Sequence, residues 1–118
     1  MEPLSDDAIV VRFGRDTLEL EHLVNQAALC YEALGFYGIS FYGDNNLSVD
    51  EIARLAGKPN QEIRISTVGR FRGTGFELAR RGRFPHLTLR FPSPPSDRDL
   101  KPLEAMFGEP VANPHPLR

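Results

Sequence analysis

His86 is the histidine whose neighbours suggest chemistry. In Arg83-Phe84-Pro85-His86-Leu87-Thr88-Leu89-Arg90 the leucines fall at alternate positions. A strand sends alternate side chains to opposite faces, so His86, Thr88 and Arg90 share the face away from Leu87 and Leu89. An imidazole beside a hydroxyl and a guanidinium suits general acid–base work on a phosphodiester, with the arginine steadying developing charge. The same face can equally be a solvated outer surface, since the sequence names no partner that would orient His86. Arg12 is a third candidate for a reacting site, beside His86 and Arg90. It interrupts the apolar run Ala8-Ile9-Val10-Val11-Arg12-Phe13, where a charge needs a partner or an edge position. An exposed strand end is the commoner fate of such a residue.

Metal and cofactor chemistry find no support. His22 lies on the outer face of a helix and His115 in the tail, so the three histidines are dispersed. Cys30 is the only cysteine, which excludes an internal disulfide and a zinc cluster of cysteines. It falls near the apolar face of its helix, where a thiol behaves as a small hydrophobe. There is no Walker loop, His-Glu-x-x-His, Cys-x-x-Cys or Gly-x-Ser-x-Gly. Gly73-Thr74-Gly75 lacks the third glycine and the strand-to-helix setting of a dinucleotide loop and reads as a tight turn. No metal and no cofactor is expected.

The arginines point elsewhere. Residues 1–57 hold ten acidic and three basic residues (net −7), and residues 58–90 hold eight basic and two acidic (net +6). Seven of those eight are arginines, whose planar fork fits phosphate or carboxylate. Arg64, Arg70, Arg72, Arg80, Arg81 and Arg83 are the candidate contacts to an acidic protein partner or to nucleic acid. Arg80, Arg81 and Arg83 crowd around Gly82, a hairpin tip. Pairing with the acidic first half is the competing use of the same charges.

The elements that must position these residues follow from periodicity. Residues 8–13 read as a buried strand. Asp16 and Glu19 have capping-box spacing, Leu20, Leu23, Val24, Ala27, Tyr31 and Leu34 form an apolar stripe, and Gly35 is a stop, which predicts a helix at 17–34. Residues 36–42 are aromatic-rich and suit a strand. Ser48 and Glu51 form a second capping box, with Leu47 and Ile52 at staple spacing, for a helix that stops at Gly57. Alternation predicts strands near 62–70, 76–80 and 85–91, the last two as a hairpin. Asp97 or Asp99 opens a last helix that stops at Gly108, and Pro102 is tolerated only in its first turn. The fold expected is α+β: a single domain over 1–108 in the order β-α-β-α-β-β-β-α. Its sheet is mainly antiparallel, with about five strands and three helices. The first β-α-β unit is read as a parallel crossover. Residues 109–118 form a Pro-rich extended tail.

The 118 residues, 41% hydrophobic and 25% charged, fit one globular domain and not wholesale disorder. No apolar run approaches the ~20 residues of a membrane span, and the acidic start is unlike a signal peptide. A soluble cytoplasmic protein is expected; its oligomeric state is not legible.

Two resemblances extend this. Leu47–Gly57 is similar to the first helix of a helix-turn-helix, Ser66–Arg72 to its recognition helix and Phe76–Phe91 to a wing. The connection Lys58–Ile65 exceeds the usual 3–4-residue turn. This resemblance implies a DNA-binding regulator. Gly38-Ile39-Ser40-Phe41, Ser66-Thr67-Val68-Gly69-Arg70, Gly75-Phe76-Glu77-Leu78, Pro85-His86-Leu87-Thr88-Leu89 and Asn113-Pro114-His115-Pro116 resemble small bacterial proteins of toxin–antitoxin type. The first expectation is a non-enzymatic interaction module, with membership of such a pair as what the resemblance implies, that binds through the Arg-rich hairpin. The alternatives are a winged-helix-like regulator and a small ribonuclease-like toxin using His86.

Overall fold

A computed structural model describes residues 2–118. The chain runs β1 (Ile9–Phe13), α1 (Leu20–Leu34), β2 (Tyr37–Asp44), α2 (Val49–Ala56), β3 (Glu62–Thr67), α3 (Val68–Gly73), β4 (Leu78–Arg80), β5 (His86–Phe91), α4 (Asp97–Ala105), β6 (Val111–Ala112). The strands form one sheet in the order β4-β5-β2-β1-β3-β6, and every pairing is antiparallel. The α+β expectation holds, with six strands in place of about five and a fourth helix among the described residues. No described helix is long and apolar enough to cross a membrane.

The first β-α-β unit is antiparallel, not a parallel crossover: Ile9, Val10 and Val11 lie opposite Asp44, Gly43 and Tyr42. The chain therefore enters β2 at the end of the sheet where it left β1. This pairing stops at Val11↔Tyr42, while β1 stays paired with β3 as far as Phe13↔Ile63. The two strands diverge at Arg12.

The sheet has two differently covered faces. On one, Val10, Ile39, Phe41, Leu87 and Leu89 pack with Leu23 and Ala27 of α1, Val68 and Phe71 of α3, and Leu100 and Leu103 of α4. On the other, Val11, Phe13 and Ile63 pack under Ile52 and Ala53 of α2. Ser48 and Glu51 cap α2 reciprocally, as their spacing predicts, and Ser96 and Asp99 do the same for α4. Asp99 thus acts at the third helical position, and Ser96 is the cap.

Three element expectations are corrected. Helix α1 starts at Leu20 with Glu19 as an N-cap that makes no side-chain hydrogen bond. Asp16 instead accepts the Glu19 N–H on its backbone carbonyl. The strand expected over 62–70 ends at Thr67, whose hydroxyl accepts the Arg70 N–H and starts α3. That six-residue helix is held by burial of Val68 and Phe71. Gly69 lies against the Asp6 backbone, where an added Cβ would come within 2.9 Å of its carbonyl oxygen. Because β3 pairs on both sides between α2 and α3, the two-helix unit of a helix-turn-helix is not formed. Residues 109–118 run back along β3: Val111 and Ala112 pair with Ile63 and Glu62, and the Leu117 N–H donates to the Lys58 carbonyl.

Candidate functional site

In the β2–β5 ladder Gly38, Ser40 and Tyr42 lie opposite Arg90, Thr88 and His86. These residues share the sheet face that α2 covers over β1 and the Tyr42 end of β2. His86, Thr88 and Arg90 do lie on one face, and the face carries a fourth participant, Ser40. The Ser40 Oγ is 2.9 Å from His86 Nε2, and His86 Nδ1 is 2.5 Å from the Arg81 carbonyl oxygen. A carbonyl only accepts, so Nδ1 carries the proton and Nε2 is left to accept from the serine hydroxyl. Tyr42 meets the imidazole edge-on, with ring centroids 5.3 Å apart.

Glycine at position 38 shapes the wall beside this pair. An added Cβ would sit 2.8 Å from the Phe36 ring and 3.0 Å from the Cys30 sulfur. Its absence lets Phe36 and Cys30 close against the strand. Cys30 is partly exposed and lines a cleft, so it is not the core residue its helix position suggests. The Phe36 ring in turn holds two guanidiniums, with Arg81 4.5 Å and Arg90 4.1 Å from its centroid.

Arg12 lies beneath the face that carries Ser40 and His86 and not at an exposed strand end. It is 7% exposed. Its Nη1 donates to the Ser40 carbonyl and to Gln26 Oε1, both at 2.7 Å. Its Nε and Nη2 donate to the Thr17 hydroxyl and carbonyl. Burial pushes its pKa down to about 10, so it stays charged at neutral pH. Beyond Val11↔Tyr42 no β1 partner faces Ser40, and the guanidinium takes that place. Arg12 thus fixes the β2 backbone at Ser40.

The six arginines expected to form one binding surface divide by task. Arg64 donates to the Gly108 and Phe107 carbonyls and Arg70 to the Met106 carbonyl. Both neutralise the C-terminal end of α4, where a helix carries partial negative charge. Arg72 bridges Asp6 and Glu77, each at 2.8 Å. Arg80 forks onto both oxygens of the buried Asp44 at 2.8 and 2.9 Å. Its hydrogen bonds are the largest reason that the Asp44 carboxyl sits below its usual pKa. Four of the six therefore support the fold, two of them through acids of the first half.

Arg81 and Arg83 are left at the hairpin. Three clefts meet at His86: the smallest, about 180 Å³, holds the Asp44–Arg80 pair with Arg81 and Phe84, and two larger ones lie beside it. The larger, about 540 Å³, is lined by Arg54, Lys58, Arg83, Tyr42 and Phe84 among others. The second, about 430 Å³, holds Ser40, Thr88, Arg81, Phe36 and Cys30. Neither is lined by an aspartate or glutamate. Among the described residues none of Arg54, Lys58, Arg81, Arg83 and Arg90 has an ion-pair partner. Lys58 rests over the Tyr42 ring at 5.3 Å. No group of three or more His, Cys, Asp or Glu side chains among the described residues is placed to hold a metal ion.

Sequence reasoning missed Ser40, Arg54 and Lys58. The alternation Gly38-x-Ser40-x-Tyr42 places Ser40 on one face of its strand, but only the β2–β5 pairing brings it to His86. Comparison with protein-family models, curated proteins and solved structures finds no match to this chain.

Proposed function

We propose that the protein binds single-stranded nucleic acid in the groove made by the two larger clefts, with His86 at its centre. The observation that carries this reading is the lining: unpaired cations on both sides of His86, no carboxylate in either of the two larger clefts, and the rings of Tyr42 and Phe84 between them. Cations without local partners attract a polyanion, and an exposed ring offers a stacking surface for bases of any sequence. Phe84 is 53% exposed at the rim. A concave groove on a sheet suits an unpaired strand; duplex readers usually present a protruding helix or ribbon. The hairpin keeps its expected role, but Arg81 and Arg83 carry it with Lys58 and Arg54, without Arg64, Arg70, Arg72 and Arg80.

The test is a salt titration of binding to a fluorescent single-stranded oligonucleotide. Each phosphate contact contributes a slope of about −0.7 in log affinity against log salt on single strands. Replacing Lys58, Arg81 and Arg83 together by alanine should flatten the slope by about 2. An unchanged slope removes the groove from binding. Polyglutamate competing as well as the oligonucleotide at equal salt would favour an acidic protein partner.

A further inference from the structure

We propose that Ser40 and His86 are a nucleophile and base that cleave a phosphodiester of the bound strand; this rests on the nucleic-acid reading above. The juxtaposition that carries it is the chain of two hydrogen bonds, Ser40 Oγ to His86 Nε2 and His86 Nδ1 to the Arg81 carbonyl. A base oriented by a third group and bonded to a hydroxyl is the arrangement that activates a serine. Here a backbone carbonyl does the orienting. It fixes the tautomer that leaves Nε2 free for the hydroxyl proton and then stabilises the imidazolium. Arg12 adds precision from behind, because its bond to the Ser40 carbonyl holds the strand where its β1 partner is missing.

The chemistry balances without another reactant than water. Ser40 Oγ attacks phosphorus as Nε2 takes the hydroxyl proton. The bond from phosphorus to the leaving sugar oxygen breaks, and that oxygen keeps the electron pair and receives the proton from Nε2. The remaining strand is then esterified to Ser40. Water attacks the same phosphorus and gives a proton to Nε2, the phosphorus–Oγ bond breaks, and Ser40 recovers its proton from His86. Negative charge builds on the phosphoryl oxygens in both steps. Arg81 lines the same cleft, and it and Arg90 are held over Phe36 without a carboxylate to neutralise them. Guanidiniums so placed stabilise that charge.

The pair makes a prediction that separates it from histidine acting alone. The nucleophile belongs to the protein, so the 2′-hydroxyl of RNA is not required. The full chain is incubated with end-labelled single-stranded oligodeoxynucleotide and oligoribonucleotide. Both should be cut, and a denaturing gel should carry label on the protein. Ser40→Ala and His86→Gln should lower the rate at saturating oligonucleotide by about 10²–10⁴-fold, with thermal unfolding midpoints close to wild type. Ser40→Cys should keep a covalent adduct with label on the protein. Binding without cleavage overturns the pair and leaves the groove reading standing. RNA-only cleavage that survives Ser40→Ala also overturns it, since His86 would then act on the 2′-hydroxyl. No binding at low salt overturns both readings.

Discussion

Asp44 is buried at the end of β2, and Arg80 reaches it from β4 with two hydrogen bonds. This pair ties the hairpin to the strand that carries Ser40. Because the Arg80 bonds depress the Asp44 pKa in the fold, the unfolded chain binds the proton more readily. The stabilisation is thus fully present above the unfolded value of about 3.9 and is lost as pH falls through the lower folded value. Asp44→Asn should cost roughly 1–3 kcal/mol at pH 7, because Arg80 is left without its charged partner. The variant should also lose less stability than wild type between pH 5 and pH 3. Urea midpoints measured for both proteins across that range check this, and parallel curves would mean that the Asp44 carboxylate adds no pH-dependent stability. The residue scale is also where the sequence is least legible. Arg80 reads as a free tip arginine because its partner lies 36 positions away in a strand two places along the sheet. His86, Thr88 and Arg90 are legible as one face because alternation is a local property.

Among the elements, α1 separates what periodicity can and cannot say. Its apolar stripe predicts one continuous inward face, yet only Leu23 and Ala27 are buried. Tyr31 is 48% exposed and Leu34 58% exposed. Tyr31 continues the stripe and stacks on the ring of Tyr37 at 4.4 Å. The stripe records helical spacing and carries no information on where the sheet beneath it ends. Leu23→Ala should therefore destabilise by about 2–5 kcal/mol, the range for large-to-small core changes. Tyr31→Ala should cost only about 0.5–1.5 kcal/mol, the value of an aromatic pair. Equal losses in urea denaturation would show that the second half of α1 is packed as tightly as the first. The Ser48–Glu51 capping box is legible because it is a purely local pattern, whereas the same spacing at Asp16 and Glu19 makes no side-chain cap. Helix α3 was not legible. Alternation in Ile63 and Ile65 runs straight into β-branched Val68, and three glycines weaken the helix signal at 69–75. What makes the helix is tertiary: burial of Val68 and Phe71 and the close passage of Gly69 by Asp6.

For the molecule as a whole, the sequence shows two oppositely charged halves, and the fold interleaves them. Residues of the basic block bind Asp6 and Asp44 or helix-end carbonyls, and Lys58, Arg81 and Arg83 line the clefts around His86. The tail closes the opposite edge of the sheet, and its Leu117 reaches the lining of the larger cleft. Composition reads residues 109–118 as a Pro-rich extension, but the backbone bonds they make are long-range and leave no local signature. Val111 and Ala112 cover the outer edge of β3. The Asn113 side chain donates to the Asn60 carbonyl at 2.8 Å, and His115 meets Asp50 of α2 at 2.8 Å. An uncovered strand edge presents unpaired N–H and C=O groups and invites pairing with another chain. At the other end of the sheet β4 is only three residues long, too short to be much of a template. Deleting residues 109–118 should therefore create one dominant sticky edge at β3. The truncated chain should unfold at lower temperature and should self-associate with rising concentration, while the full chain does so less. Light scattering across a concentration series, with thermal unfolding alongside, measures both effects. A truncated chain that stays as dispersed and as stable as the full one would mean that β3 protects its own edge. The charges along it, Glu62 and Arg64, would then suffice without the tail.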